Sequence, residues 1–215
     1  MLGTMNQNIH HSDTIGGSIK VFEGRTWPLV GGFQFDLATL PDNGNVLPIG
    51  TPVFCDEEKR TIAPCYTFEV AENISTTTLK VKRGIEGTRA KVGMHIMIAP
   101  TAIGTKGKSV TINAVKSIEN GIDELTLSEA IEGANKGVVM IEADKQHATD
   151  AKVKVVPNAL LKENRFKAPG ATQVNGDGIW MCEYPVLEKR IPPIPACIKA
   201  ALVAGQCYVR FSNRK

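Results

Sequence analysis

From Ser18 onward, apolar and polar residues alternate in short bursts, and turn residues break each burst before it grows long. "TTLKVKRG" is the clearest case: Leu79 and Val81 fall on one face, Lys80 and Lys82 on the other. A two-residue period over a few residues is the signature of a half-buried strand. "SIKVFEG", "FQFDLATL", "TPVFCD", "TIAPCYTFEV", "HIMIAP", "KSVTINAV", "DELTLSEA", "GVVMIEA" and "AKVKVVP" are short and β-branched in the same way. Each predicts a strand.

Helical spacing is scarce. "PNALLKEN" predicts one short turn of helix. "PACIKAALVAG" predicts a real helix, which Pro195 opens and Gly205 closes. The closing "QCYVRFSNRK" alternates again and predicts a last strand, while "KAPGATQVN" (Lys167 to Asn175) reads as a linker or long loop. The fold class is therefore mainly β: β-barrel or β-sandwich-like modules of short Gly-opened strands, with one short C-terminal helix. Three segments are expected. Residues 1–20, polar and aperiodic, form a flexible arm within which Met5 is an alternative start. Residues 21–166 form a β-rich body. Residues 167–215 carry a strand, a Pro-rich crossover, the helix and a strand, as a separate domain or as part of the body.

The body repeats itself. "RGIEGTRAKVGMHIMIAP" (Arg83 to Pro100) is echoed by "EAIEGANKGVVMIEAD" (Glu129 to Asp144), and aligning the glycines adds a third phrase, "PIGTPVFCD". Gly50, Gly93 and Gly137 each open an apolar run, and a further strand follows each run. The last two copies also share a preceding strand, "TLKVKRGIEG" and "LTLSEAIEG". A glycine at such a point supplies positive φ or close backbone approach. Three imperfect copies are too few for a propeller and predict pseudo-symmetric hairpins. Chance likeness among Gly-opened strands is the alternative, and either way the repeat concerns architecture.

Composition narrows the class. A chain of 215 residues with 42% hydrophobic and 22% charged residues can bury a proper core. A net charge of +3, with no Lys/Arg block, argues against nucleic-acid binding. No apolar run approaches the roughly 18 residues of a membrane helix. The N-terminus lacks a charged n-region and an apolar h-region, so synthesis in a cytoplasm is expected. The odd count of 5 cysteines has no CxxC pair. Cys55 and Cys65 can face each other across a hairpin, but free, buried thiols in a reducing compartment are the expectation for all, with Cys182, Cys197 and Cys207. The sequon at Asn73 then carries no weight.

No motif announces a reaction. "AIGTKGKSVTI" ends like a phosphate-binding loop, but Ala102 stands where that loop needs Gly and a strand follows where it needs a helix. His10 and His11 fall in the arm, His95 in a strand and His147 in a loop, with no metal-ligand spacing. His95 is expected to point outward or to make a satisfied hydrogen bond. "CDEEKR" (acidic at Asp56 to Glu58) reads as a solvated hairpin tip. A distant carboxylate pair for glycoside hydrolysis is not selected by any pattern, and no GxSxG elbow exists. Catalytic, cofactor and metal residues are therefore all assigned as none. Arg190 precedes Ile191-Pro192-Pro193-Ile194-Pro195, which lacks the N–H donors of a central strand. It either docks on another surface or packs as a rigid crossover on its own domain.

"LPIGTPVFCDEEKRTIAPCYTFEV", "TTLKVKRGIEGTRAKVGMHIMIAP" and "VLEKRIPPIPACIKAAL" together resemble the head fiber or head decoration proteins of tailed phages and prophages of Bacteroides-type bacteria. The resemblance runs from about Asn6 to the C-terminus and rests on overall wording, with no diagnostic motif. It implies a non-enzymatic virion protein on the capsid exterior, a homotrimer that contacts the major capsid protein and grips the shell through its N-terminal part. On charge and apolar pattern, no nucleic-acid or membrane partner is expected. A long fiber needs a coiled coil or repetitive shaft, and neither fits here, so a short knob or decoration unit is expected. Two alternatives stand beside it: a module that binds host-surface glycans through Trp27, Trp180 and a few other aromatics, and a hydrolase whose site is invisible in sequence.

Overall fold

A computed structural model describes residues 20–29, 32–42, 45–73, 76–84, 87–118 and 121–213. The expected arm, with Met5, His10 and His11, lies outside the described residues except for Lys20. So do Ile74 and Ser75 of the sequon and Ile85-Glu86 of the first Ile-Glu-Gly.

Along the chain, β1 (Thr26–Pro28), β2 (Phe33–Phe35) and β3 (Val46–Leu47) precede a hairpin of β4 (Pro52–Asp56) and β5 (Thr61–Pro64). Next come β6 (Thr67–Glu69), β7 (Thr78–Lys82), β8 (His95–Ile98), β9 (Gly107–Ile118), β10 (Ile122–Leu127), β11 (Val139–Glu142) and β12 (His147–Ala151). The chain closes with β13 (Ala159–Leu161), β14 (Arg165–Phe166), β15 (Asn175–Gly176), β16 (Gly178–Cys182) and β17 (Val186–Leu187). A 3-10 turn at Glu188–Arg190, helix α1 (Ala196–Ala204) and β18 (Phe211–Ser212) follow. The protein is mainly β, as its alternation predicts.

One sheet runs β1-β16-β13-β4-β5-β2-β15, so strands from the C-terminal segment complete it. A second large sheet runs β6-β11-β8-β9-β10-β7, with β12 on β9, and β14-β3 and β17-β18 form two-stranded sheets. This second sheet curls until its ends touch: Val70 and Val81 form an isolated bridge, and the Ala71 N–H donates to the Lys80 carbonyl at 2.8 Å. It stops there, short of a closed barrel.

Two cores result from the two-residue period. Ile96, Met140, Ala159 and Leu161 point into one core with Phe33, Phe35, Leu79, Val81 and Leu125. Their neighbours Met97, Ile141 and Leu160 point into a second, which α1 covers with Cys197, Ile198 and Leu202. Strands covered on both faces lose their alternation, and this explains β13. "PNALLKEN" forms this strand instead of the expected helical turn because Ala159–Leu161 is enclosed and pairs with both β4 and β16. Tertiary pairing overrides local propensity there.

Other expectations shrink. The described part of "SIKVFEG", Lys20 to Gly24, forms no strand, although Val21 is buried in the second core. The "FQFDLATL" strand ends at Phe35 because Asp36 turns the chain, its carboxylate accepting from the Ala38 N–H at 2.9 Å. "AKVKVVP" keeps only Ala151 in β12 and a bridge at Val153. The closing strand contracts to Phe211–Ser212, parallel to β17. Of the two readings of the Pro-rich stretch, the packed crossover is correct: Pro192 and Ile194 are buried within the chain. Helix α1 forms where predicted, with Pro195 and Gly205 as its caps. Gly205 has φ −80°, so it is not the left-handed residue. It is there for closeness, since a Cβ would meet Asn158 Cβ at 2.9 Å, while Gln206 takes φ 62°.

The three Gly-opened turns share one backbone geometry, whereas the expected hairpin forms only in the first two copies: β4 pairs β5 and β8 pairs β9, but after β11 only an isolated Ala143–Val153 bridge forms. Gly50, Gly93 and Gly137 have φ of 78°, 86° and 86°. Each is the third residue of a turn closed by Thr51 N–H to Pro48 O, Met94 N–H to Lys91 O and Val138 N–H to Asn135 O. Positive φ at that position alone marks a type II turn. Each glycine N–H also donates 2.8 Å to a neighbouring strand, at Leu161, Ile112 and Val70 respectively. The later two copies interlock strand for strand: β7 pairs β10, β8 pairs β11 and β9 pairs β12, all antiparallel. The first copy's hairpin, β4 and β5, lies in the other sheet.

The three glycines differ in surroundings, which gives a graded test. A Cβ at Gly137 meets nothing within 4 Å, whereas one at Gly50 would lie 2.2 Å from Ile191 Cγ2. Gly137→Ala should cost about 1–2 kcal/mol from backbone strain alone. Gly50→Ala should cost roughly 2–5 kcal/mol because overpacking adds to strain. Denaturant midpoints at constant m-value measure both, and equal losses would contradict the packing at Gly50.

Candidate functional site

Ionisable groups converge in one cleft of about 480 Å³ between the two sheets. Tyr66 and Ala63 form its floor from the β5–β6 side, while Lys91 and His95 come from the second Gly-opened turn and strand. Glu142 at the end of β11 and Lys154 beyond β12 close it. The Glu142 side chain is only 9% exposed and pairs with Lys154 Nζ at 2.7 Å. Burial raises the pKa of its carboxyl; Lys154, Lys91 and His95 pull the other way.

Proton accounting fixes His95. The Thr111 hydroxyl donates its one proton to Gln146 Oε1 at 2.6 Å, so the 2.9 Å contact with His95 Nδ1 is donated by the ring. A neutral His95 therefore carries its lone pair on Nε2, and the expected satisfied hydrogen bond is present. The remaining polar groups hold the fold. Lys91 Nζ donates to the carbonyls of Ala38 (2.6 Å) and Leu40 (3.0 Å). The Tyr66 hydroxyl donates to Thr39 O at 2.6 Å, and the Thr39 hydroxyl to Asp36 O at 2.7 Å. The cleft offers a carboxyl and an imidazole for proton transfer, but its hydroxyl protons already serve the 36–42 loop. Sequence reading found His95 alone; Glu142, Lys91, Lys154 and Tyr66 come from four separate strands or turns with no shared motif.

The other singled-out residues are dispersed. His147 Nδ1 accepts from the N–H groups of Thr149 and Asp150, ordering its own turn. Gly107-Lys108-Ser109 lies in β9, with the Ser109 hydroxyl donating to Lys145 O at 2.6 Å, so it is strand and no phosphate loop. Asp56 Oδ1 accepts from the N–H groups of Glu58 and Lys59 at the hairpin tip, and the bond from Lys59 leads in lowering its pKa. All 5 cysteines are free and buried. Burial pushes the Cys55 thiol up to about 12, helped by Asp177 and Glu57, and Cys207 up to about 11. Burial also raises Cys65, Cys182 and Cys197.

A second hollow, of about 510 Å³, is apolar. It lies between α1 and the outer face of β4, lined by Phe54, Ile103, Val156, Pro157, Ala200 and Ala204. Phe54 and Val156 are 41% and 45% exposed there. Period two makes this inevitable: Val53 and Cys55 take the core, so Phe54 faces outward.

Among the described residues, no three His, Cys, Asp or Glu side chains group as a metal ion would require, and no helix is long and apolar enough to cross a membrane. No protein-family model, curated protein or solved structure matches the chain.

Two measurements check these environments. With its pKa raised above the ordinary 4.5, Glu142 binds protons more tightly folded than unfolded, so wild-type stability should fall as pH rises from 4.5 through the folded value. Glu142→Gln lacks this dependence, so its stability relative to wild type should climb across that window. The climb should be about 1.4 kcal/mol for each pH unit by which the folded pKa exceeds the unfolded one, and a flat difference would refute the burial argument. Secondly, at pH 8 an aromatic disulfide reagent should leave all 5 thiols unmodified in the native protein and titrate all of them in denaturant.

Proposed function

We propose that this chain is a non-enzymatic virion protein, a short decoration unit that sits on the outside of a tailed-phage capsid as a homotrimer and binds the major capsid protein. The observation that carries the reading is the apolar groove beside α1. Phe54 and Val156 stand half-exposed in a wall of alanines and Pro157, next to a helix whose Val203 also faces out. A contiguous apolar hollow of this kind suits cover by another protein chain, as in a lattice or trimer. The commitment of Lys91, Tyr66 and Thr39 to carbonyl groups favours a scaffold over a reaction centre. Buried thiols and a body of two large sheets, with no shaft among the described residues, also suit a compact knob.

A second reading, glycan binding, draws support from Trp180 and Tyr208. Their rings meet edge to face with centroids 6.2 Å apart, and Tyr208 is 58% exposed, which leaves a platform for a sugar face. Glycan-array hits that vanish in Tyr208→Ala would favour it over the first.

Two experiments test the virion reading. Light scattering on a sizing column should give close to three times 23.2 kDa, and Phe54→Asp should reduce that mass or abolish head attachment. In virions of the phage encoding the chain, the protein should fractionate with heads, and deleting residues 1–18 should release it while leaving the β-sheet circular dichroism intact. Recovery in tails alone, or decoration by the truncated chain, would overturn the proposal.

A further inference from the structure

A third hollow, of about 310 Å³, sits where the Pro-rich crossover passes the end of β7. Its charged lining consists of Lys82, Arg83, Arg89, Lys189 and Arg190 against Glu69. Among the described residues, five cations and one carboxylate line it, a concentration that the chain as a whole, at +3, does not share. Like charges crowded around a small hollow repel one another, and low-dielectric walls strengthen the field inside it.

The fold holds this arrangement in place. Arg83 is braced by Asp123 at 3.5 Å and by the Ile118 carbonyl at 3.2 Å. Arg190 donates to the Lys20 carbonyl at 2.7 Å and lies 3.5 Å from Glu23. Arg89 is 7% exposed and donates to the Thr67 carbonyl at 3.3 Å. Glu69, the one anion among the described lining residues, pairs with Lys82. Lys189 is carried by the 3-10 turn, whose Glu188 is pinned by Lys199 at 2.7 Å, and Pro192 and Pro193 form a stiff wall beyond it. The bracing bonds on Arg83 and Arg190 employ two N–H directions or fewer of the five that a guanidinium offers, so both keep donors for a ligand.

We propose that this hollow is an oxyanion-binding site for a ligand carrying phosphate or sulfate ester groups. Guanidinium forks match tetrahedral oxyanions and bind them with paired hydrogen bonds. Cations fixed before binding give up little entropy when the anion arrives. Among the described residues, the five cations outnumber the three carboxylates that pair with them, Glu69, Asp123 and Glu23, which favours a multiply charged ligand over a single carboxylate. The inference is independent of the virion reading.

Titration calorimetry of the full chain with pyrophosphate and with a sulfated tetrasaccharide tests it. At least one should bind, and affinity should fall as salt rises. Binding of pyrophosphate alone assigns a phosphate ester, binding of the saccharide alone a sulfated glycan, and binding of both a general oxyanion site. Lys189→Glu and Lys82→Gln alter exposed side chains and should each weaken binding about tenfold or more, with unchanged melting temperature. Lys136→Glu, an exposed change outside the hollow, should leave affinity within about twofold. Failure of both probes to bind, or an equal loss in Lys136→Glu, would overturn the proposal.

Discussion

Everything in this molecule hangs on three backbone turns that only glycine enters without strain. At Gly50, Gly93 and Gly137 the chain takes positive φ, closes a type II turn, and hands the glycine N–H to a strand elsewhere in the fold. Each turn therefore does two things at once: it reverses the chain and sets the register of the strand that follows. Because side chains alternate with period two, register decides which residues enter the core. Fixing three glycines fixes the inward faces of β4, β8 and β11, and with them most of both cores.

This explains which features were legible in the sequence. Alternation in "TTLKVKRG" and the helix signals of "PACIKAALVAG" report forces local to a few residues, and both elements form where expected. The Gly-opened phrases were legible too, since positive φ leaves a mark on residue choice. β13 was not: Ala159–Leu161 is a strand because two other strands flank it, a fact absent from its own composition. "SIKVFEG" fails for the converse reason, having strand-like residues but no partner ladder among the described residues. The polar cleft was the least visible feature. Glu142, His95 and Lys91 are brought together by pairing between distant strands, and nothing in a linear pattern anticipates that.

Charge follows the same logic. The modest net charge of +3 conceals an uneven distribution. In the cleft, Lys154 meets Glu142 and Lys91 meets carbonyl groups, so positive charge goes into closing loops. Along the crossover, by contrast, Lys189 and Arg190 are held in place by a stiff proline segment and converge with Lys82, Arg83 and Arg89. Composition averages over both environments and reports neither.

The interlocked pairing of the second and third copies also bears on how the chain reaches its fold. Every strand of one copy takes a partner from the other, as β7 does with β10, β8 with β11 and β9 with β12. Only β8 and β9 pair within a copy; the remaining ladders between these strands cross from one copy to the other. β9 and β10 meet across a short connection, whereas β7–β10, β8–β11 and β9–β12 each span about 40 residues of chain and carry a larger closure cost. During synthesis the second copy waits with open edges, and the nearest equivalent of its missing partner is the same segment of a neighbouring nascent chain. The architecture that makes the finished unit self-contained thus makes its unfinished form prone to exchange strands between chains.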